Sequence, residues 1–228
     1  MDTLLILGFI FIFLSYFIGS WPVGRSMGKF FADVEVQDAG SGKSGATNVM
    51  RTTGDRMLGV VVFMTDATVK GVFWIFAMQL IFGVIFHTYS WIVYACFAAV
   101  LLGHVFPVLT FFKTGGAGIA ILIGGLMSLV PGLAYALAIA AWLTTFHFSR
   151  GIKFLCNIAI VSTLLVIGLL FNFSWPFLGF AAFATGLTLF AHRQNLYRWR
   201  RGQESKTTWE NLGKSILKMG EMFKKNKH

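Results

Sequence analysis

The sequence predicts an all-α, polytopic membrane protein. Hydrophobic residues make up 56% of the 228 residues, charged residues make up only 12%, and the mean hydropathy is +0.72. Soluble domains carry about 25% charged residues, so this composition excludes an ordinary soluble enzyme. The apolar residues also lie in long runs between short polar turns, as in a bundle of transmembrane helices. We expect one membrane domain over residues 1–206 and a separate tail over 207–228.

Seven apolar segments are candidate transmembrane helices. The first has no basic segment before it and is longer than the apolar part of a secretion signal, so we expect it to be retained. The fourth is short and rich in glycine, which fits either a broken or re-entrant helix or close packing between helices. Cys96 and Cys156 lie in apolar segments and are expected to be packed thiols. The segments are 4–23, 58–86, 91–112, 118–129, 132–148, 154–171 and 175–191.

The distribution of lysine and arginine predicts the orientation of the chain. Apart from Lys70, which is inside the second apolar segment, these residues lie in the long polar loop 24–56, in two short turns and in the tail, whereas the turns at 87–90, 128–131 and 172–174 have none. Because basic loops stay in the cytoplasm, we expect an external N-terminus and a cytoplasmic C-terminus, which seven spans require. The net charge of +10 then suits anionic lipid headgroups rather than nucleic acid.

The tail is predicted to be an amphipathic, basic helix on the inner leaflet. Thr207 and Glu210 have the spacing of a capping box, and the apolar residues that follow occupy one helical face, opposite several lysines. A solvated tail without regular structure is the alternative.

The stretch 40–51, GSGKSGATNVMR, has the composition of an anion site. Glycine lets backbone N–H groups approach a ligand, hydroxyl and amide side chains donate hydrogen bonds, and arginine fits phosphate. A P-loop is not expected, because Gln37 stands where that pattern requires its first glycine. A flexible connection without a ligand is the alternative. The candidate residues are Gly40, Ser41, Gly42, Lys43, Gly45, Thr47, Asn48 and Arg51.

Further polar groups are candidates for the same site. Asp66 and Lys70 lie four residues apart in an apolar helix, as a functional pair or as a structural ion pair. For His104 we favour a hydrogen bond to a backbone carbonyl. His192 and Asn195 share one helical face and can share a ligand. Glu204 can tether basic residues of the loop, and Gly115 and Gly116 can border the same cavity. We expect no metal and no cofactor, since the histidines are scattered.

Together these motifs resemble PlsY, the acyl-phosphate-dependent glycerol-3-phosphate acyltransferase family of bacterial membranes. The stretch 40–51 is similar to the family's GSGNxGATNxxR, with Lys43 in place of asparagine. The family's other motifs correspond to Asp66, Lys70 and Gly71 for DxxKG, to 103–107 for GHxFP, and to His192, Arg193, Asn195, Arg198, Gly202 and Glu204 for HRxNxxR…GxE.

The resemblance implies acyl transfer from acyl-phosphate to the sn-1 hydroxyl of glycerol-3-phosphate at the cytoplasmic face of the bacterial inner membrane. It implies no protein nucleophile, because acyl-phosphate is already activated, and we expect Ser41, Thr47, Asn48, Arg51, His192 and Asn195 around the substrates. One departure is marked: GGAGIAI replaces a GGKGVAT-like motif, so Ala117 replaces lysine and Ile121 replaces threonine. A non-catalytic or altered-substrate relative that binds lipid phosphate or a protein partner is the alternative, and a transporter that uses Asp66 and Lys70 is a third.

The predicted orientation can be tested by labelling single cysteines from each side of the membrane. Position 43 and the tail should react only from the cytoplasmic side, and positions 128–131 only from outside, because all loop cations lie on one side. Labelling of position 43 from outside intact cells would refute the orientation.

Overall fold

The computed structural model describes residues 3–113, 115–171, 173–204 and 206; all regular secondary structure among them is helical, and no strand occurs there. This confirms the all-α prediction. The predicted tail helix at 207–228 lies outside the described residues. The helices are α1 Thr3–Ser20, α2 Val23–Ala32, α3 Ala46–Thr53, α4 Arg56–Ile85, α5 Trp91–Val105, α6 Ile119–Leu126, α7 Gly132–Phe148, α8 Lys153–Leu170, α9 Trp175–Ala191 and α10 Arg193–Arg200.

Four of the described helical stretches are long and apolar enough to cross a membrane: Thr3–Ala32, Arg56–Ile85, Trp91–Thr110 and Lys153–Leu170. A fifth is reached if α9 and α10, which meet at an angle of 54°, count as one span, and α7 is a shorter apolar helix. Helix α6 has eight residues, so it is about 12 Å long and cannot by itself cross a hydrocarbon core of about 30 Å. The number of seven complete spans and the orientation therefore stay predictions.

The segment predicted as one long polar loop contains two helices, α2 and α3. They fold because their apolar residues meet the start of α4 in a small separate core, in which burial stabilises short helices that would be marginal alone. This core consists of Val23, Val36, Val49, Leu58 and Val62. The glycine-rich stretch is thus held between two helices rather than in an open loop.

Helix α5 lies at the centre of the bundle. It packs against α1, α9 and the middle of α4, while α8 lies between α7 and α9. Its residues are buried on several sides, and the ring of Phe97 stacks on Phe180 of α9 with centroids 4.6 Å apart. Cys96 and Cys156 are buried free thiols, as expected from their apolar surroundings.

Glycines allow α6 to lie directly against α4. A Cβ atom built on Gly124 would lie 2.0 Å from the carbonyl oxygen of Ala67, and one on Gly71 would lie 2.8 Å from that of Ile121. Most of α6 is buried, which agrees with the close-packing alternative for this segment. The end of α6 that follows residues 115–118 is thereby fixed relative to α4 and α5.

Replacing Gly124 by alanine should therefore destabilise the protein. The added methyl group would overlap the backbone of α4, and overpacking of this kind costs about 1–3 kcal/mol. Gly186→Ala on α9 is the matched control, because a Cβ there meets nothing within 4 Å. Thermal unfolding in detergent should show a lower melting temperature for Gly124→Ala alone, and equal melting of the two variants would contradict the proposed contact.

Candidate functional site

A cavity of about 430 Å³ lies at one end of the bundle, where three separate parts of the chain meet. The glycine-rich segment contributes Ser41, Gly42 and Lys43, and the segment before α6 contributes Lys113, Gly115 and Gly116. The junction of α9 and α10 contributes Ala191, Arg193 and Gln194, and the apolar part of the lining consists of Val105, Phe106, Phe112 and Phe190. The cavity lining thus combines cationic and glycine-rich segments with aromatic side chains, and it also includes Gln37 and the acidic Asp38.

Asn48 shapes the glycine-rich segment from inside. Its side chain is 3% exposed, and its Oδ1 accepts a hydrogen bond of 2.8 Å from the backbone N–H of Ser41. Its Nδ2 donates to the carbonyl oxygens of Val36 at 3.0 Å and Ala39 at 3.2 Å. All of these bonds are to the protein backbone, so Asn48 places Ser41 at the cavity wall from behind it.

Gly40 is required at its position for two reasons. Its φ angle of 65° is in the left-handed region, and a Cβ atom there would lie 2.2 Å from Oδ1 of Asn48. The turn that brings Ser41 to Asn48 is therefore compatible with glycine and with little else.

Lys43 joins the glycine-rich segment to the end of α9. Its Nζ donates a short hydrogen bond to the carbonyl oxygen of Ala191. Burial lowers the pKa of Lys43 below its usual value, the charges of Arg193 and Arg198 lower it further, and Glu204 opposes them. Lys43 is thus a partly desolvated cation on the cavity wall, with a neutral backbone carbonyl as its hydrogen-bond partner.

Thr47 and Arg51 are on α3 as expected, but the structure does not bring them into the cavity lining. Both side chains are exposed. The Cδ atom of Arg51 lies 3.3 Å from where a Cβ of Gly40 would be, and its charge acts on Lys153 at the start of α8. Arg51 therefore lies behind the glycine-rich turn and presents its charge to a neighbouring surface.

His192, Asn195 and Glu204 form a connected group behind the wall. Nδ1 of His192 lies 3.2 Å from Oδ1 of Asn195, Nδ2 of Asn195 donates to Glu204 at 2.8 Å, and Nε of Arg198 donates to the other Glu204 oxygen at 2.9 Å. His192 is 7% exposed, and burial lowers its pKa below the usual value. The sequence suggested Glu204 as a tether for basic residues of the loop, whereas its hydrogen-bond partners in the structure are Asn195 and Arg198 of α10.

Asp66, Lys70 and His104 form a second buried group between α1, α4 and α5. Nζ of Lys70 forms an ion pair with Oδ1 of Asp66 at 2.7 Å, in a geometry that does not meet hydrogen-bond criteria. The same Nζ donates a hydrogen bond to the carbonyl oxygen of Trp21 at 2.6 Å. We favoured a hydrogen bond from His104 to a backbone carbonyl, but within the part of the chain that the structure describes, the hydrogen-bond neighbour of its Nδ1 is Nζ of Lys70 at 3.4 Å. None of the three lines the cavity.

The second buried group nevertheless supports the cavity wall. The backbone N–H of Gly116 donates to the carbonyl oxygen of His104, and Nε2 of the His104 ring occupies the place where a side chain at 116 would be. A Cβ at Gly115 would meet the carbonyl oxygen of Val105. Two consecutive glycines are thus needed for this segment to lie against α5.

The sequence identified the polar part of the lining better than the apolar part. Phe112 and Phe190 were not singled out, and Phe106 entered only through the motif at 103–107, because in a chain with 25 phenylalanines no pattern separates those at a cavity from those facing lipid. Asn157 was also missed. The signal available for it was a lone amide side chain in the apolar run of α8.

The fold and the site define an integral membrane protein of helices with an amphipathic cavity at one end of the bundle. The pattern of the family described as glycerol-3-phosphate acyltransferase matches residues 9–202. The chain belongs to this family of enzymes, as the resemblance of its motifs indicated.

Similar proteins agree in length and in structure. The chain is 32% identical to a glycerol-3-phosphate acyltransferase of Listeria welshimeri over 198 residues, which cover 86% of this chain and 94% of the relative. It is 36% identical to one of Bordetella pertussis over 200 residues, or 86% and 89% of the two chains. A crystal structure of PlsY, an integral membrane glycerol 3-phosphate acyltransferase in its glycerol 3-phosphate form, matches with a TM-score of 0.78 at 27% identity, over 90% of this chain and 98% of that one.

Asn48 should be essential for the shape of the glycine-rich segment. Asn48→Asp keeps an acceptor for the Ser41 N–H but removes both donors and adds a buried charge, so two carbonyls lose their partner, at about 1–3 kcal/mol for each unsatisfied group. Thr47→Ala, at the exposed neighbouring position, is the control. Amide hydrogen exchange of residues 36–45 should be faster in Asn48→Asp and unchanged in Thr47→Ala; unchanged exchange in both would contradict the bracing role.

Proposed function

We propose that the protein transfers the acyl group of an acyl-phosphate to the sn-1 hydroxyl of glycerol-3-phosphate. The hydroxyl oxygen bonds to the acyl carbon, the bond between that carbon and the phosphate oxygen breaks, and the hydroxyl proton goes to the departing phosphate. The products are 1-acyl-glycerol-3-phosphate, a lysophosphatidic acid, and inorganic phosphate. No protein nucleophile and no cofactor is needed, since the donor is activated before it binds.

The observation that carries the proposal is the mixed lining of the cavity. It combines Lys43, Lys113 and Arg193 and the backbones of Gly115 and Gly116 with the rings of Phe106, Phe112 and Phe190. A substrate with phosphate at one end and a fatty chain at the other requires both kinds of surface. The lysophosphatidic acid form of the PlsY crystal structure, with a TM-score of 0.76, supports the same ligand class.

Catalysis in such a site consists of positioning and neutralisation of charge. Lys43, Lys113 and Arg193 bind phosphate oxygens, and the hydroxyl of Ser41 donates from the same wall. Asn48 holds this wall, and His192 and Asn195 hold the junction of α9 and α10. Thr47 and Arg51 belong to the proposed substrate shell only as exposed groups outside the cavity lining, where Arg51 attracts anionic substrates.

We also propose that the cavity faces the cytoplasm of a bacterial cell and that the protein lies in the inner membrane. Lys43, Lys113 and Arg193 belong to segments in which the basic residues of the chain collect. Membrane lipids surround the apolar outer faces of the bundle, and the fatty substrate enters from them.

Purified protein supplied with acyl-phosphate and glycerol-3-phosphate tests the reaction directly. Release of phosphate together with formation of lysophosphatidic acid, in equal amounts, is the expected result. No product under conditions in which another member of the family is active would overturn the proposal. Binding of lysophosphatidic acid without turnover would then favour the alternative of a non-catalytic or altered-substrate relative, to which the absence of the motif lysine at Ala117 points.

Lys43 should supply the cation that is missing at Ala117. Both departures lie around one cavity, since Lys43 and Gly116 line it and Ala117 follows in the chain. A charge-assisted hydrogen bond to phosphate contributes about 1.5–3 kcal/mol, so Lys43→Asn should weaken glycerol-3-phosphate or acyl-phosphate binding by roughly 10-fold to 150-fold. Adding Ala117→Lys should restore binding, and this recovery in a double-mutant cycle is the measurement.

The exposed Lys29, whose partner is Asp33, gives the control for loss of a cation. Lys29→Asn should bind and turn over like the parent. If Lys43→Asn also binds and turns over substrate like the parent, the prediction that Lys43 compensates for Ala117 is wrong.

A further inference from the structure

Asn157 is a lone amide on α8 that lies between the indole of Trp142 on α7 and the ring of His192. Nε1 of Trp142 lies 3.3 Å from Oδ1 of Asn157, and Nδ2 of Asn157 lies 3.3 Å from Nε2 of His192. The two neighbours of His192, Ala191 and Arg193, line the cavity, whereas His192 itself is buried on the other side of the bend. Three helices thus hold the ring from behind the wall.

The chemistry of the indole determines which way the amide points. A tryptophan Nε1–H donates and never accepts, so Asn157 must present its oxygen to Trp142 and its NH₂ group to His192. The Nε2 atom of His192 is then an acceptor and carries no proton. The single proton of the neutral ring is on Nδ1, from which it is donated to Oδ1 of Asn195.

The same direction of donation continues to the end of the network. With its oxygen occupied by His192, Asn195 donates from Nδ2 to Glu204, which also accepts from Arg198. A second proton at Nε2 of His192 would face the NH₂ group of Asn157. The amide could turn only by placing that NH₂ group against the donor of Trp142, so the network opposes protonation of the ring.

We propose that Asn157, oriented by Trp142, is a positioning residue that holds His192 neutral with its proton on Nδ1 and so fixes the cavity wall at the junction of α9 and α10. The positioning of His192 by Asn157 does not depend on the proposed function; only its expected effect on substrate binding does. The bend of 54° at His192 places Ala191 and Arg193 in the lining, and the carbonyl of Ala191 is the hydrogen-bond acceptor of Lys43. A ring that turned or became charged would move both.

The charged groups around His192 act in opposite directions. Lys43, from the glycine-rich segment, disfavours a second proton on the ring, and Glu204, beyond α10, favours it. Arg198 is bound to Glu204 and offsets part of that carboxylate charge. These groups stay in place in variants of Asn157, so they do not mask a change at that position.

Nitrogen NMR of the detergent-solubilised protein, labelled at its histidines, measures the tautomer and the titration of His192. The chain has five histidines, and the spectrum of His192→Gln identifies the signal. In the parent we expect a neutral ring protonated at Nδ1. In Asn157→Asp the carboxylate can only accept from Nε2, which requires a second ring proton, and an adjacent opposite charge raises a pKa by about 1–3 units. His192 should therefore titrate that much higher in this variant.

Trp142→Phe tests the orientation without adding a charge. The amide of Asn157 is then free to turn its oxygen toward Nε2 of His192, which permits a second ring proton, so His192 should titrate higher than in the parent. Its neutral ring should stay protonated at Nδ1, because Glu204 and Asn195 fix that tautomer from the other side. Thr185→Val is the matched control, because Thr185 bonds Val161 and Ala181 at the interface of α8 and α9 and has no bond to the network; its His192 signal should be that of the parent.

Activity gives the second readout. Asn157→Asp should move the acidic limb of the kcat/KM profile upward by the same shift seen in NMR and should raise KM for the phosphate substrate more than it lowers kcat. A parent ring protonated at Nε2, or an Asn157→Asp variant in which His192 titrates as in the parent, overturns the inference. An inactive parent whose His192 behaves as expected in NMR overturns the proposed reaction instead and leaves the positioning role established.

Discussion

The ammonium group of Lys70 must be satisfied inside an apolar bundle, and this requirement determines how the first half of the chain packs. The side chain is fully buried, and its partners are Asp66 on its own helix, the carbonyl of Trp21 at the end of α1, and the ring of His104 on α5. Removing one partner of a buried ion pair typically costs about 3–5 kcal/mol. The three helices are therefore held in one arrangement, and the π-helical stretch Asp66–Phe73 of α4 carries both charges.

The cavity depends on that arrangement although none of these residues lines it. His104 holds Gly116 through its backbone carbonyl and leaves no room for a side chain there. Other parts of the lining are held in the same manner, by Asn48 behind Ser41 and by His192 behind Ala191 and Arg193. The polar parts of the lining thus consist of backbone and cationic side chains, and a buried polar side chain fixes each of them from behind.

This organisation suits transfer from an activated donor. In the proposed reaction there is no nucleophile to activate, so the protein must hold two phosphate-bearing substrates in register and exclude water from the acyl carbon. Preorganised cations such as a partly desolvated lysine suit this task. Lys43 illustrates the point, because burial lowers its pKa and its hydrogen-bond partner is a neutral carbonyl group. A bound anion would stabilise its charged form.

Composition and periodicity determined the helical membrane class, because the length of an apolar run and the scarcity of charge are properties of the chain alone. Local motifs likewise predicted the glycine-rich anion segment and the helical spacing from Thr47 to Arg51, since turn glycines and helix faces are set by nearest neighbours. Tertiary structure alone decided which of these residues meet. Asn48 bonds the backbone behind the cavity wall, and Arg51 is exposed outside the cavity lining. Helix α6 has only eight residues, and Asn157 contacts His192. The reason is that hydrogen bonds between groups over a hundred residues apart, such as Lys43 with Ala191, depend on how helices pack and leave no periodic trace in the sequence.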